Sequence, residues 1–262
     1  MKAAIGQFAV AADASINAQT CLQWMAKARA AGADLLVLPE GVLARDIADP
    51  DLVRRAAQPL DGEFVTTLRE ASRGNNLTTM MTVHVPATAD GKVWNVLIAL
   101  RDGEIIAEYK KIHLYDAFSV KESTNVVPGN EVPPLVDVCG LKVGLMTCYD
   151  VRFPELARRL TLDGADVLVL PAAWVRGPLK EAHWETLCTA RALENTCYLV
   201  ASGECGPRNI GASMVVDPLG VIVARAAEAP AFLLVDLDPA RIAEARRLLP
   251  CNENRRFAAP QL

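Results

Sequence analysis

Residues 33 to 40 read ADLLVLPE, and residues 165 to 172 read ADVLVLPA. Each copy is an apolar run of buried-strand length closed by a proline, a residue that cannot donate to a sheet ladder. The first copy follows residues 16 to 31, where Cys21, Leu22, Trp24, Met25 and Ala28 recur at helical spacing before Gly32 stops the helix. With the apolar stretch at 2 to 10 ahead of it, this is a β-α-β opening. The second copy is approached in the same way, through the strand-like LKVGLMT and a helix from about Pro154 to Asp163. Such units place parallel strands in a sheet covered by helices. Two of them suggest two similar halves, with the ADxLVLP strands candidates for equivalent places. Because ADLLVLP is also what any buried strand looks like, the recurrence leaves open whether the halves are a true repeat. The copies differ at their ends: the first closes on an acid, Glu40, where the second has Ala172.

The rest of the chain supplies antiparallel partners. A helix is expected over 62 to 73 and strands over 77 to 85, 93 to 100 and 104 to 110, the last two joined at Asp102-Gly103, a strong tight-turn pair. A further hairpin turns at Cys139-Gly140. Beyond the second copy come a helix over 178 to 194, strands over 196 to 202, 212 to 216, 221 to 225 and 231 to 236, and a helix from Pro239. No linker or low-complexity segment divides residues 1 to 262, so one domain is expected: an α/β fold of two sheets packed face to face, with helices on both outer sides.

Composition narrows the function. The 262 residues are 52% hydrophobic with a formal charge of -4, which gives no electrostatic reason to expect nucleic acid or an anionic membrane surface, so a small-molecule partner is expected. Seven cysteines, an odd number without a CxxC pair, suggest reduced thiols and a reducing compartment. The opening MKAAIGQFAV is broken by Gln7 and makes a poor secretory signal. No apolar run reaches the ~18 residues of a membrane helix, and a soluble, cytoplasmic protein is expected.

Three stretches can carry chemistry. In GLMTCYDVRFPE, residues 144 to 155, an apolar strand runs into Cys148 just before a helix. Such an elbow exposes a nucleophile and gathers backbone N–H groups around it, and helix N-terminal polarity favours thiolate. None of His84, His113 and His183 sits in a recognisable cysteine-protease signature, so Glu40 is the candidate base, its pKa raised by partial desolvation. In EYKKIHLYD, residues 108 to 116, strand alternation turns one of Lys110 and Lys111 inward, where it needs an acid and can hold charge developing on a carbonyl oxygen. His113 reads as fixing the following loop. HWE at 183 to 185 lacks the second histidine of a zinc motif, and no Walker loop or GxGxxG occurs, so no metal or cofactor is inferred.

Together these stretches resemble the nitrilase superfamily of carbon-nitrogen hydrolases. LPE carries Glu40, KIHL carries Lys111, CYDVRFPE carries Cys148, and KES at 121 to 123 carries a second family glutamate, Glu122. PAAW at 171 to 174, HWE, RALEN at 191 to 195 and SMVVDPLG at 213 to 220 extend the likeness over nearly the whole chain. The resemblance implies a four-layer α-β-β-α sandwich and a homodimer or larger homo-oligomer, with helices near 152 to 163 and 178 to 194 at its interface. It implies a Glu40, Lys111 and Cys148 triad in which Lys111 and the Tyr149 backbone N–H form the oxyanion hole and Glu122 orients Lys111 or assists proton transfer. Ala172 then lies in a strand that only lines the site, while Asp150, Arg152 and Glu155 form a polar network fixing the elbow. KIHLYD, KES, GPLKEAHWE and RRLLPCNENRR look most like the Nit-type amidase branch, including enzymes that hydrolyse deaminated glutathione. A substrate with carboxylates at both ends needs basic partners, for which Arg176, Lys180 and Arg208 are the candidates.

Overall fold

A computed structural model describes residues 1–87 and 90–262. In chain order the elements are β1 (Lys2–Gln7), α1 (Ala14–Ala30), β2 (Leu35–Val37), α2 (Leu52–Arg55), α3 (Glu63–Ser72), β3 (Thr78–Pro86), β4 (Val93–Arg101) and β5 (Glu104–Lys110). Then come β6 (Asp116–Ala117), β7 (Val120–Lys121), β8 (Val136–Val138), β9 (Leu141–Leu145), α4 (Pro154–Leu162), β10 (Val167–Ala172), α5 (Lys180–Asn195) and β11 (Tyr198–Gly203). The chain closes with β12 (Met214–Val216), β13 (Ile222–Arg225), β14 (Ala231–Asp236), α6 (Pro239–Leu248) and α7 (Cys251–Asn254).

Two six-stranded sheets result, ordered β14-β1-β2-β3-β4-β5 and β13-β12-β11-β10-β9-β8. Read from β14 and from β8, they have the same construction. An antiparallel edge strand precedes a parallel trio, β1-β2-β3 in one and β9-β10-β11 in the other, and two antiparallel strands complete each sheet. β2 and β10, the two ADxLVLP strands, are the middle strands of the two trios. The halves are therefore a topological repeat.

Alternation along the strands sorts the cores. Ala3, Ile5, Leu35, Val37, Met80, Leu97 and Ala99 share one apolar cluster with Val143, Leu145, Val167 and Val169 of the other sheet, so these faces pack on each other. Their neighbours Ala4, Leu36, Met81, Ile98 and Leu100 face the opposite way and meet Cys21, Met25 and Ala28 of α1 and Phe64, Val65 and Leu68 of α3. α4 and α5 pack against the outer face of the second sheet through Leu156, Leu160, Trp184 and Cys188. The layers run helix, sheet, sheet, helix. Asp13 caps α1 by accepting from the Ser15 and Ile16 N–H groups, as the first turn of a helix requires.

The strand expected over 2 to 10 ends at Gln7, whose side chain leaves the ladder and donates to Ala227 O and Ala229 O, 2.6 Å each. All seven cysteines are free. No helix among the described residues is long and apolar enough to cross a membrane.

Candidate active site

The parallel trios end where their strands' carboxyl ends meet, the usual place for a site in an α/β sheet. Glu40 lies just past β2 and is 4% exposed, while Lys111 is the first residue after β5 and is 2% exposed. Its neighbour Lys110 turns outward and lays its ammonium over the Trp94 ring, 3.7 Å from the centroid. Alternation therefore selects Lys111 as the inward lysine. Its backbone is pinned on both sides: its N–H donates to Asn95 O at 2.9 Å, and its carbonyl accepts from Gly129 N at 2.8 Å. A side chain at Gly129 would start 2.2 Å from Lys110 O, so only glycine permits this approach.

The Lys111 ammonium lies between two carboxylates, 3.0 Å from Glu40 Oε1 and 2.8 Å from Glu122 Oε2. Glu122 belongs to a single 3-10 turn, Glu122–Thr124, and also accepts from the Tyr115 N–H at 2.6 Å. Glu40 Oε1 accepts a second hydrogen bond, from Asn95 Nδ2 at 2.8 Å, and Glu40 Oε2 takes the Ala173 N–H at 2.9 Å. The second ADxLVLP strand thus does more than line the site, because the residue after Ala172 gives its backbone donor to the acid of the first copy.

Cys148 opens a 3-10 turn, Cys148–Arg152, and has φ +44°, a left-handed conformation rare outside glycine. The Tyr149 N–H lies ahead of that turn's first backbone bond, Asp150 N to Thr147 O at 3.0 Å. Asp150 fixes the elbow from inside: its carboxylate accepts from Thr147 N and Tyr109 OH, 2.8 Å each, and from the His113 backbone at 3.2 Å. The His113 ring, 2.8 Å from the same carboxylate, stacks on Phe153 with centroids 3.8 Å apart, so this histidine holds the loop as its sequence position suggests. Glu155 does not join this network; it is exposed in the first turn of α4.

The charges differ from those expected. Burial works against ionising Glu40, but the Lys111 ammonium, the Arg45 guanidinium and hydrogen bonds from Cys148 and Lys111 outweigh it and hold the carboxyl below the usual range. Lys111 is likewise penalised by burial, yet Glu122, Glu40 and Cys148 raise its pKa. For Cys148, burial and the Glu40 charge push the thiol well up, against the smaller pull of Lys111. The resting site is therefore carboxylate, ammonium and neutral thiol. Burial and the Glu40 charge thus work against the thiolate expected from helix polarity, and the helix is not there to oppose them: α4 starts only at Pro154, and Cys148 itself leads into no more than one short 3-10 turn.

The three basic candidates separate. Arg208 is exposed and lines the cavity that reaches Cys148, which encloses about 740 Å³. Arg176 does not line it. Val175 bridges to Asn209 and faces this cavity, so its successor faces away, toward a separate 440 Å³ hollow lined by Glu181 and Arg225. Lys180 is 3% exposed at the start of α5. Its ammonium donates to Tyr115 OH at 3.0 Å and lies between the rings of Trp174, Tyr115 and Phe118, 4.5 to 4.9 Å from their centroids. Burial, then the Arg152 charge, lower its pKa, and the Cys148 thiol opposes them. Arg152 faces the Trp174 ring from 4.9 Å, and neither cation has an ion-pair partner among the described residues.

Sequence reasoning missed Asn95, the Ala173 N–H and Arg45. Only Asn95 had a signal: it is the one polar residue within the apolar run VWNVLIAL, and such a residue in a buried strand needs a partner.

Known proteins resemble the chain over its full length. The chain is 55% identical over 262 residues to a deaminated glutathione amidase of Escherichia coli O157:H7, covering 100% of both chains. It superposes on the NitFhit protein of C. elegans with a TM-score of 0.91 and 31% identity, over 100% of this chain and 67% of that one. An amidase variant from Nesterenkonia sp. AN1, whose active-site cysteine carries the product of Michael addition of acrylamide, matches with a TM-score of 0.81 and 26% identity over 97% of this chain and 99% of its own. The family of carbon-nitrogen hydrolases matches residues 2–247, and the chain belongs to it, within the nitrilase superfamily.

Proposed function

We propose that this chain is a cysteine-dependent amidase that hydrolyses deaminated glutathione to 2-oxoglutarate and cysteinylglycine, with residues 1–262 working as one catalytic domain. The observation that carries the reading is the buried cluster of Glu40, Lys111, Glu122 and Cys148, in which one ionised carboxylate, that of Glu40, meets both a fixed cation and a neutral thiol. The likeness to the Escherichia coli amidase supports the substrate, and the acrylamide adduct in the Nesterenkonia relative supports a cysteine nucleophile.

In this reading Cys148 Sγ attacks the side-chain amide carbonyl while its proton passes to Glu40. The carbonyl's electron pair moves to oxygen, and the oxyanion is held by the Lys111 ammonium and the Tyr149 N–H. Collapse re-forms the carbonyl and breaks the C–N bond as Glu40 returns its proton to the departing nitrogen. Water then attacks the thioester, giving a proton to Glu40; the C–S bond breaks and Glu40 reprotonates the sulfur. Glu122 keeps Lys111 charged and aimed. Keeping the thiol neutral until substrate arrives avoids a second full negative charge beside Glu40.

Lys180 and Arg152 suit the 2-oxo acid end of the substrate, since two cations close to Cys148 and lacking an acid partner are completed by a carboxylate. Because 2-oxoglutaramate presents the same end, it is the competing substrate. Free cysteines fit a cytoplasmic enzyme. Assembly as a homodimer through α4 and α5 is part of the same proposal.

The test is a panel of deaminated glutathione, 2-oxoglutaramate, glutamine, an N-carbamoyl amino acid and a simple nitrile at equal concentration, with mass spectrometry of the trapped acyl-enzyme. The highest kcat/KM is expected for deaminated glutathione, with the adduct on Cys148. A higher value for 2-oxoglutaramate would replace the substrate, and an adduct elsewhere would overturn the nucleophile.

A further inference from the structure

Arg45 sits beside the catalytic cluster without an acid of its own. Its backbone N–H donates to Ala11 O at 3.0 Å and anchors the loop after Glu40. Its side chain lines the Cys148 cavity, and its Nε is buried without a hydrogen bond. Its Nη1 lies 3.6 Å from the position a Cβ would take on Gly41. The guanidinium forms no ion pair with a described residue, although its charge is felt by Glu40, His84 and Glu204. The adjacent acid, Asp46, takes the Ala48 N–H at 2.8 Å instead. Arg208 lines the same cavity and is also unpaired among the described residues.

A guanidinium is a planar fork matched to a carboxylate, and one held partly out of water with an unused donor favours such a ligand. Lys180 and Arg152 do not line this cavity, so the cations near Cys148 form two separate groups. At about 740 Å³ the cavity has room for the larger, departing half of a substrate, whereas the Lys180 ammonium is enclosed by rings.

We propose that Arg45, assisted by Arg208 at the rim, binds the carboxylate at the far end of the departing amine half, so that the enzyme selects amides whose amine half is itself an acid. This rests on the amidase reading and deepens it. Arg45 is then a specificity residue for the leaving group, and Lys180 with Arg152 serve the acyl group.

The test compares deaminated glutathione with its C-terminal carboxamide, which lacks only the glycine carboxylate, and with 2-oxoglutaramate, which has no such half. Wild type should prefer the acid over the carboxamide by roughly 10- to 100-fold in kcat/KM. Arg45→Met should bring that ratio close to one, mainly through KM, and should lower 2-oxoglutaramate turnover far less. Arg45→Lys should keep part of the preference, and Arg208→Met should reduce it. A preference that survives in Arg45→Met overturns the proposal. So does an equal loss on 2-oxoglutaramate, which would mean that Arg45 acts by tuning Glu40. If wild type processes 2-oxoglutaramate but not deaminated glutathione, the substrate reading falls and takes this one with it.

Discussion

The two halves can be laid over each other residue by residue. Ala3 and Ile5 of β1 pair with Leu35 and Val37 of β2; Val143 and Leu145 of β9 pair with Val167 and Val169 of β10. Counting on from these registers, Glu40 corresponds to Ala172 and Cys148 to Phe8. The shared pairing explains why the strands look alike, since both trios are buried on both faces. Their ends are free to differ. Phe8 keeps a negative φ and stacks on Trp24, while Cys148 turns left-handed beneath Glu40. One half supplies the Glu40 and Lys111 side chains, and the other supplies the Cys148 side chain and a backbone N–H, from Ala173. A repeated frame thus holds a single, asymmetric site at its junction.

The largest expected effect comes from removing the residue that most separates the halves. Cys148→Ala should cost on the order of 10⁶-fold in kcat while the protein stays folded by circular dichroism. Appreciable turnover would show that another group does the attack.

Glu40→Ala turns the first copy's ending into the second's. We expect a loss of roughly 10²- to 10⁴-fold, and little further loss when it is added to Cys148→Ala, because the two act together. Lys111→Met should be worse for the fold than for the comparison, leaving Glu40 and Glu122 buried without their cation. About 3 to 5 kcal/mol of stability should disappear in urea unfolding. A near-wild-type midpoint would mean that the cluster relaxes into water.

The smallest effect is in pH dependence. His84 and Glu204 also occupy matching places, six residues after Thr78 and Tyr198, which pair with Leu35 and Val167. Burial first, then Arg45 and Lys111, lower the His84 pKa to about 4, against the opposing pull of Glu40. The unfolded chain therefore takes up this proton before the folded one does. The stability contribution is fully present above pH ~6.5 and is lost as pH falls toward 4, about 2 kcal/mol of it between pH 7 and pH 5. His84→Gln should flatten that limb of the stability curve, and an unchanged slope would assign the acid sensitivity elsewhere.

What was legible in the sequence was what repeats or alternates. Helical spacing and the ADxLVLP runs located both β-α-β units, and the clustered motifs located Glu40, Lys111, Glu122 and Cys148. Choosing between Lys110 and Lys111 without a family likeness needed the Trp94 ring, which lies on the adjacent strand. The β6-β7 hairpin has two-residue strands, too short to show a period, and turns at Phe118 and Ser119 with φ +50° and +68°. Arg176 looked like a site residue because its loop leaves the right end of β10, but one step of alternation sends it to the other side. The charge of Glu40 was misjudged because desolvation was considered without the lysine that answers it.

The left-handed backbone of Cys148 has a consequence for stability. A residue with a Cβ in that region carries strain of order 1 to 3 kcal/mol that glycine would not. For folding alone, glycine would therefore be the easier residue at position 148, although it would remove the proposed nucleophile. The proposed nucleophile is thus held in place at the expense of backbone ease, and Cys148→Gly is expected to unfold at a higher midpoint than Cys148→Ala while being equally inactive.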